Sequence, residues 1–266
     1  MKYICSLLLY TFCCFSVSAN EGEMKVATYI EPPFVELIDN KLVGEHEEIA
    51  KLLAKASNLK PVFIRCPFAR CLNMVKQGKA DIIFGVRKSP EREKVLTYIN
   101  PPYMVQNYPL RVFTLASKNI TINSFNDLEG LTLGTLRGGS YFTLFDDNKS
   151  ITKVELISRK QLVDMLLRDR IDAFIEREQS IIPLVSKEVY QQKLLLANYS
   201  YNEAVNSFVA ISKKSHIKNH SKLLSKQLQI LVTNGTINKI IMKQRNDIKR
   251  VNYDRITKSD GKKSPL

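Results

Sequence analysis

The chain has 266 residues, of which 44% are hydrophobic and 25% are charged, and its formal net charge is +14. This length allows one large domain or two modest lobes. The positive charges are scattered, without an arginine-rich helix or basic residues interleaved with aromatic ones, so the composition argues against nucleic-acid binding and no nucleic-acid partner is expected.

Residues 1–19 have the pattern of a secretory signal peptide. Lys2 is the only charge, an apolar run extends from Ile4 to Phe15, and residues 17–19 (VSA) are a small-residue cleavage site. The apolar run is short for a transmembrane helix, which needs about 20 residues, although an uncleaved anchor is the alternative. A cleaved signal predicts a periplasmic protein.

The next part of the chain alternates strands and helices. The predicted order is strand 24–28, helix 45–56, strand 62–65, helix 69–77 and strand 81–85. The helix at 45–56 is identified by apolar residues that recur at helical spacing. This βαβαβ order implies a parallel sheet with right-handed crossovers.

A second unit of the same kind begins near Tyr108. Its predicted elements are strand 110–116, a short helix opened by 124–127, strand 131–135, a helix begun by the turn 137–140, helix 158–168, strand 171–175, helix 178–190, and strands 194–197 and 207–211. Helices 221–232 and 236–244 follow. Residues 249–266 are basic and poor in apolar residues, which predicts a disordered tail.

The most informative segment is residues 76–92, KQGKADIIFGVRKSPER. An amphipathic helix ends at Gly78, a short apolar strand follows, and a polar turn then leads to Arg92. Loops just past the carboxyl ends of strands in open α/β sheets bind small ligands. An arginine can bind a carboxylate there through two parallel hydrogen bonds.

The pattern G-K-x-D-I-I-x-G-x-x-x-[ST]-P-E-R resembles the periplasmic solute-binding proteins of family 3, the amino-acid-binding type with the type II periplasmic-binding fold. Five further blocks carry the resemblance: 31–34 (EPPF), 42–44 (LVG), 100–103 (NPPY), 125–130 (FNDLEG) with Gly134, and 234–239 (NGTINK). Each block is weak alone, whereas their order and spacing together are strong. The resemblance covers about residues 24–244.

This resemblance implies an α/β fold of two lobes, each a mixed, mostly parallel sheet flanked by helices, with two hinge crossings. Lobe 1 would hold residues 20–105 plus 206–248, and lobe 2 would hold residues 106–205. A small carboxylate-bearing or amino-acid-like solute would bind between the lobes, draw them together by hinge closure and be delivered to an ABC-type permease. A monomer without catalysis, metal or cofactor is expected.

The resemblance also assigns pocket residues. Arg92 matches the arginine that clamps the ligand's α-carboxylate, and Ser89 matches a hydroxyl that either donates to this carboxylate or stabilises the turn. Phe68 matches an aromatic residue beside the ligand side chain, with a plain core position as the alternative. Gly139 and Ser140 match a small-hydroxyl turn at a helix N-terminus, a natural anion site, with an ordinary Gly-Gly turn as the alternative.

Three positions depart from the family's pattern. Glu31 stands where an aromatic residue usually precedes Pro-Pro-Phe34, Arg87 replaces a Ser or Thr, and Arg177 replaces the acidic residue that usually pairs with the ligand's α-ammonium. Glu31, Arg87 and Arg177, together with Phe34, are expected in the ligand site. Three arginines in one cleft would repel one another, and a dianionic or polyanionic ligand would offset the repulsion. In the alternative, Arg177 points away and pairs with a neighbouring glutamate.

Once the predicted signal peptide is removed, only two cysteines are left, Cys66 and Cys71. An even number of cysteines in an oxidising compartment is typical of disulfide pairing. These two residues predict a disulfide at the start of a helix, with two reduced thiols as the alternative.

Two other functions share this fold. A sensory member of the family would present its ligand state to a membrane receptor, so the expected partners are an anionic or zwitterionic solute and either an inner-membrane permease or a receptor. Cyclohexadienyl dehydratases need a general acid in the cleft, a role open to Glu31 or Glu176 if burial raised its pKa. Fold alone does not decide between these functions.

Overall fold

The computed structural model describes residues 22–243 except 33 and 186. The predicted signal peptide and the predicted tail, residues 1–19 and 249–266, lie outside the described residues. Within them, no helix is long and apolar enough to cross a membrane.

The described residues form twelve strands and eight α-helices. The strands are β1 (Gly22–Thr28), β2 (Val35–Ile38), β3 (Lys41–Gly44), β4 (Leu59–Arg65), β5 (Ile82–Val86), β6 (Leu96–Gln106), β7 (Leu110–Leu115), β8 (Thr132–Leu136), β9 (Thr152–Leu156), β10 (Ala173–Arg177), β11 (Leu194–Tyr201) and β12 (Val205–Ser212). The helices are α1 (Glu45–Ala56), α2 (Phe68–Gln77), α3 (Pro90–Glu93), α4 (Thr143–Asp147), α5 (Arg159–Leu167), α6 (Glu178–Val185), α7 (Glu188–Gln191) and α8 (Ser221–Thr233). A further helical segment occupies residues 236–243.

The strands form two five-stranded sheets and one hairpin. The first sheet has the order β4-β1-β5-β12-β6 and the second has the order β11-β7-β10-β8-β9, while β2 pairs only with β3 among the described strands. In the first sheet β1 runs parallel to β4 and β5, and in the second β8 runs parallel to β9 and β10. The other pairings are antiparallel, so both sheets are mixed.

The chain passes between the sheets twice, once between β6 and β7 and once between β11 and β12. The sequence predicts lobe boundaries at residues 105/106 and 205/206. That these boundaries separate two units that move relative to each other stays a prediction.

Each sheet is covered by apolar side chains on both faces. The periodicity of α1 buries Ile49, Ala50, Leu53 and Ala54 completely in the first core, and full burial of one large aliphatic side chain contributes about 1.5–3 kcal/mol. α2 packs on β1 and α8 on β6. These helices fix the strand ends, and therefore the loops that follow them.

Several elements differ from the sequence prediction. The strand predicted at 171–175 extends to Arg177, because β10 pairs with β7 as far as the Arg177–Leu110 position. The helix predicted at 178–190 is two helices, α6 and α7. The β2–β3 hairpin, β6 and β9 were not predicted. The extension of β10 matters most, since it makes Glu176 and Arg177 consecutive strand residues.

Candidate functional site: a charged cleft between the sheets

A cavity of about 700 Å³ lies between the two sheets and is lined by residues of both. Its walls come largely from the carboxyl ends of strands, including the loops after β1, β5 and β8 and the last residues of β10. This is where open α/β sheets bind small ligands.

Arg92 is positioned by the short helix α3. Ser89 Oγ accepts a hydrogen bond from the Arg92 N–H at 3.3 Å, so Ser89 caps the helix and stabilises the turn. The Arg92 side chain lines the cavity, and its guanidinium donates to the carbonyl oxygens of Arg87 and Gly138, both at 3.0 Å. The arginine thus lies where its motif predicted a ligand contact, and its observed partners are two backbone carbonyls.

Arg87 also reaches across the cavity. Its guanidinium donates to the carbonyl of Ser140 at 3.3 Å and to the carbonyl of Tyr141, and Nη2 lies 3.3 Å from Glu203 Oε2. Arg87 follows β5 of the first sheet, whereas Ser140 and Tyr141 follow β8 of the second. Together with Arg92, it holds the loop after β8 against the first sheet.

The predicted anion site in the turn 138–140 is corrected by the structure. α4 begins three residues after this turn, and the Gly139 N–H donates to the carbonyl of Leu136, the last residue of β8, at 2.9 Å. The Tyr141 N–H donates to the Asp146 carboxylate at 3.0 Å, and Ser140 Oγ donates to the same carboxylate at 3.3 Å. The protein's own carboxylate therefore accepts these hydrogen bonds. Gly139 and Ser140 still line the cavity.

Arg159 forms a buried ion cluster that no motif indicated. It is the first residue of α5, after the capping hydroxyl of Ser158. Its Nη2 lies 2.9 Å from Glu31 Oε1 and its Nε lies 3.2 Å from Glu176 Oε2, and all three side chains are at most 13% exposed. Glu31 follows β1 of the first sheet, so this cluster also connects the two sheets.

The pKa values within this cluster respond to opposing effects. Burial alone would lower the pKa of Arg159, but the charges of Glu176 and Glu31 outweigh burial and raise it. Burial raises the pKa of Glu176, and the charge of Arg159 opposes that rise. Arg159 therefore stays cationic, and it lies between the carboxyl groups of Glu31 and Glu176.

Arg177 lines the cavity and donates a hydrogen bond from Nη1 to the carbonyl of Tyr108. The alternative in which it points away and pairs with a neighbouring glutamate is wrong. Glu178 lies 3.8 Å from Arg111, and the Glu176 carboxylate faces the ion cluster.

Arg92 and Arg177 are buried, at 7% and 8% exposure. Neither has a carboxylate within 4.0 Å among the described residues. Burial lowers the pKa of both guanidiniums, and the nearby charge of Arg87 lowers both further. The cavity thus contains two buried guanidiniums that form no ion pair with a described residue, although the more distant charges of Asp146 and Glu176 oppose the lowering of the Arg92 and Arg177 pKa values respectively.

Aromatic residues form one wall of the cavity. Phe68 lines it and packs edge-to-face on Tyr29, with ring centroids 4.8 Å apart. Gly85 has φ +72°, and a Cβ there would lie 2.3 Å from the Tyr29 hydroxyl, so only glycine fits beneath this ring. The prediction of Phe34 as a site residue is corrected by the structure. Phe34 is not in the cavity lining; it is fully buried in the first core and stacks on His46.

The predicted disulfide between Cys66 and Cys71 is confirmed. Cys66 follows β4 and lines the cavity, and Cys71 lies in α2. The bridge fixes the start of the helix that carries Phe68.

Tyr29, Arg159 and Ser180 are among the cavity residues that were not predicted as site residues from the sequence. Arg159 had one usable signal, because it lies at the start of the predicted helix 158–168 of the second unit. Ser180 had none, since a serine within a helix is unremarkable in sequence.

Comparisons with known proteins agree with this architecture. Residues 24–244 match the model of the bacterial extracellular solute-binding proteins, family 3. A probable histidine-binding protein of Campylobacter jejuni is 24% identical over 216 residues, covering 79% of this chain and 80% of that protein.

Solved structures share the fold. AbpA of Streptococcus pneumoniae, an amino acid ABC transporter substrate-binding protein bound to L-arginine, has a TM-score of 0.67 and 25% identity over 84% of this chain and 94% of that one. A mutant of ArgBP from T. maritima has a TM-score of 0.70 and 19% identity over 85% and 96% of the two chains. The predicted two-sheet, type II periplasmic-binding fold is confirmed.

Proposed function

The chain belongs to the bacterial extracellular solute-binding proteins of family 3, and we propose that it captures a carboxylate-bearing, amino-acid-like solute in the cleft and delivers it to an ABC-type permease. The observation that carries this choice of ligand is the buried Arg92 guanidinium, which lines the cavity without a carboxylate partner among the described residues.

Arg92 is suited to bind a carboxylate of the solute. A guanidinium has five N–H donors, and the described residues accept two hydrogen bonds from this one. An uncompensated buried charge is unfavourable by several kcal/mol, and a carboxylate would supply both the opposite charge and two acceptors. Ser89 supports this role indirectly, because it caps the helix that carries Arg92.

The contacts across the cleft support capture by closure. Arg87, Arg92 and Glu31 come from loops of the first sheet and contact the second at Tyr141, Gly138 and Arg159. A solute bound among these side chains would add contacts with both sides, and hinge closure gains its free energy from such differential contacts.

The remaining roles follow from the family and the export pattern. We infer that the signal in residues 1–19 is cleaved, that the mature protein is a periplasmic monomer, and that the solute leaves the cleft chemically unchanged. Glu31 and Glu176, the two candidate general acids, share Arg159 as an ionic partner. This pairing favours a structural role for both carboxylates over proton transfer.

A thermal-shift screen of the secreted chain tests the proposal. A ligand that binds only the folded state raises the melting temperature by mass action, so an amino-acid-like carboxylate should raise that of the wild type and fail to raise that of Arg92→Gln. Arg70→Gln is the matched control, because Arg70 is exposed on α2 and does not line the cavity. Stabilisation that survives Arg92→Gln, or no shift with any carboxylate, would contradict the proposal. Recovery of the unchanged solute by NMR tests the absence of turnover.

A further inference from the structure

Arg177 and Ser180 are two further buried polar residues of the cavity lining. Arg177 ends β10 and Ser180 lies in the first turn of α6. They are 8% and 2% exposed, and both line the cavity. The Ser180 hydroxyl has no hydrogen-bond partner among the described residues, and Arg177 has no carboxylate partner there. A buried polar group without a partner carries a desolvation penalty, and a hydrogen-bond acceptor on a bound ligand would offset it.

This pair of residues is distinct from Arg92. Arg92 donates to the Gly138 carbonyl in the loop after β8, whereas Arg177 donates to the Tyr108 carbonyl where the chain crosses from β6 to β7. Each guanidinium keeps N–H donors that no described residue accepts. A solute with two anionic groups could therefore contact both arginines at once.

The charged residues that line the cavity indicate which charged groups the solute carries. Arg87 is balanced by Glu203. Arg92 and Arg177 each contribute one positive charge, and the Glu31–Arg159–Glu176 cluster contributes one net negative charge. The lining also includes the half-buried Glu36. Arg92 and Arg177 are the two buried guanidiniums of the lining that form no ion pair with a described residue, and two anionic groups of one solute would pair with them. The other cationic residues of the lining, Arg65, Arg137, Lys160 and Lys187, are exposed and screened by solvent.

We propose that the solute is an amino dicarboxylate whose second carboxylate is bound by Arg177 and Ser180. This rests on the proposed function, in which Arg92 binds the first carboxylate. The solute's ammonium group complements the negative charge of the Glu31–Arg159–Glu176 cluster. A solute with a single carboxylate would leave Arg177 without an ion-pair partner among the described residues.

A purely structural role for Arg177 predicts a different outcome. Its hydrogen bond to the Tyr108 carbonyl braces a crossing between the sheets. If Arg177 were only a brace, its removal would weaken binding of every solute by a similar factor, because all of them need the same closed cleft. A carboxylate-binding role instead weakens acids selectively.

Isothermal titration calorimetry of the full secreted chain separates these roles. L-glutamate is titrated against its amide L-glutamine, and L-aspartate against L-asparagine, so that each pair differs in one charge. We expect each acid that fits to bind about tenfold or more tighter than its amide, as for a hydrogen-bonded charge. Arg177→Gln should remove this preference and leave amide affinity within about threefold. Arg111→Gln is the matched control, an arginine on neighbouring β7 outside the cavity lining.

Ser180→Ala provides a second variant in case Arg177→Gln fails to fold, which circular dichroism would show. It should reduce the acid-to-amide ratio by about threefold, as expected for one neutral donor. Equal affinities for acid and amide, or equal weakening of both by Arg177→Gln, overturn the second subsite and leave the proposed function standing. Absence of binding by all four solutes, together with no effect of any other carboxylate, overturns both.

Discussion

Replacing Arg159 by Met tests whether the buried ion cluster holds the cleft together. Its guanidinium lies 2.9 Å from Glu31 Oε1 and 3.2 Å from Glu176 Oε2. At an effective dielectric constant of about 20, each contact represents a gross attraction of about 5 kcal/mol. Most of this is offset by the desolvation of the ions, and removing one member of a buried cluster typically lowers stability by about 3–5 kcal/mol. We expect that loss at neutral pH.

The pH dependence of the loss identifies its cause. Without Arg159, its charge no longer opposes the effect of burial on Glu176, so the pKa of Glu176 should rise further above its ordinary value. Folded carboxyl groups with raised pKa values bind protons more tightly than the unfolded chain, so stability increases as the pH falls. The stability difference between wild type and variant should narrow by at least about 1 kcal/mol between pH 7.5 and pH 5.5, since each proton taken up contributes at most about 1.4 kcal/mol per pH unit.

Urea unfolding at several pH values measures these differences. In the background of the Arg159→Met variant, Glu176→Gln should abolish the additional pH dependence, because the buried carboxyl group that takes up the proton is removed. Arg137→Met is the matched control, since Arg137 forms an exposed ion pair with Glu155 and should leave the unfolding midpoint nearly unchanged. A loss below about 1 kcal/mol at pH 7.5, or a difference that stays constant down to pH 5.5, would refute this account of the cluster.

Two further predictions concern the first sheet. Burial lowers the pKa of His46 to about 3, so only the unfolded chain takes up its proton near pH 6.5 and stability falls as the pH drops below that value. His46 should account for about 1.3 kcal/mol of lost stability between pH 7.5 and pH 5.5, and urea titrations of His46→Gln should lack this component; an identical slope in both proteins would contradict it. Replacing Cys66 and Cys71 by Ser opens a bridge of sequence separation 5 and should lower the unfolding free energy by about 2 kcal/mol in the chain-entropy model; an unchanged urea midpoint would argue against it.

Local patterns were sufficient to predict much of the first sheet. The helix predicted at 45–56 coincides with α1, because its apolar period of 3.6 residues corresponds to one buried face. The end of α2 was readable from Gly78, which adopts the left-handed conformation that favours glycine. The turn that carries Arg92 was also a local motif, since serine caps and proline begins α3.

The rest of the cleft depends on contacts between residues that are distant in sequence. Arg159 and Glu31 are 128 positions apart, so no window of sequence contains the pair. The apolar run of β10 ends at Ile175, and only its pairing with β7 extends the strand to Arg177. Periodicity detects a buried face but not a charged residue whose partner comes from another strand.

The extension of β10 explains how one cleft can contain both signs of charge. Consecutive residues of a strand point to opposite faces, yet β10 ends at the cavity and both Glu176 and Arg177 line it. Glu176 therefore contacts the Arg159 cluster, while Arg177 is left to face the cavity beside Ser180. An acidic residue is not missing from this part of the cleft; it lies one position earlier and is held by an arginine. In the proposed site, the second carboxylate of the solute would meet the Arg177 guanidinium at the position where the resemblance implies an acidic residue, and this reversal of charge is the reason to expect an acidic solute.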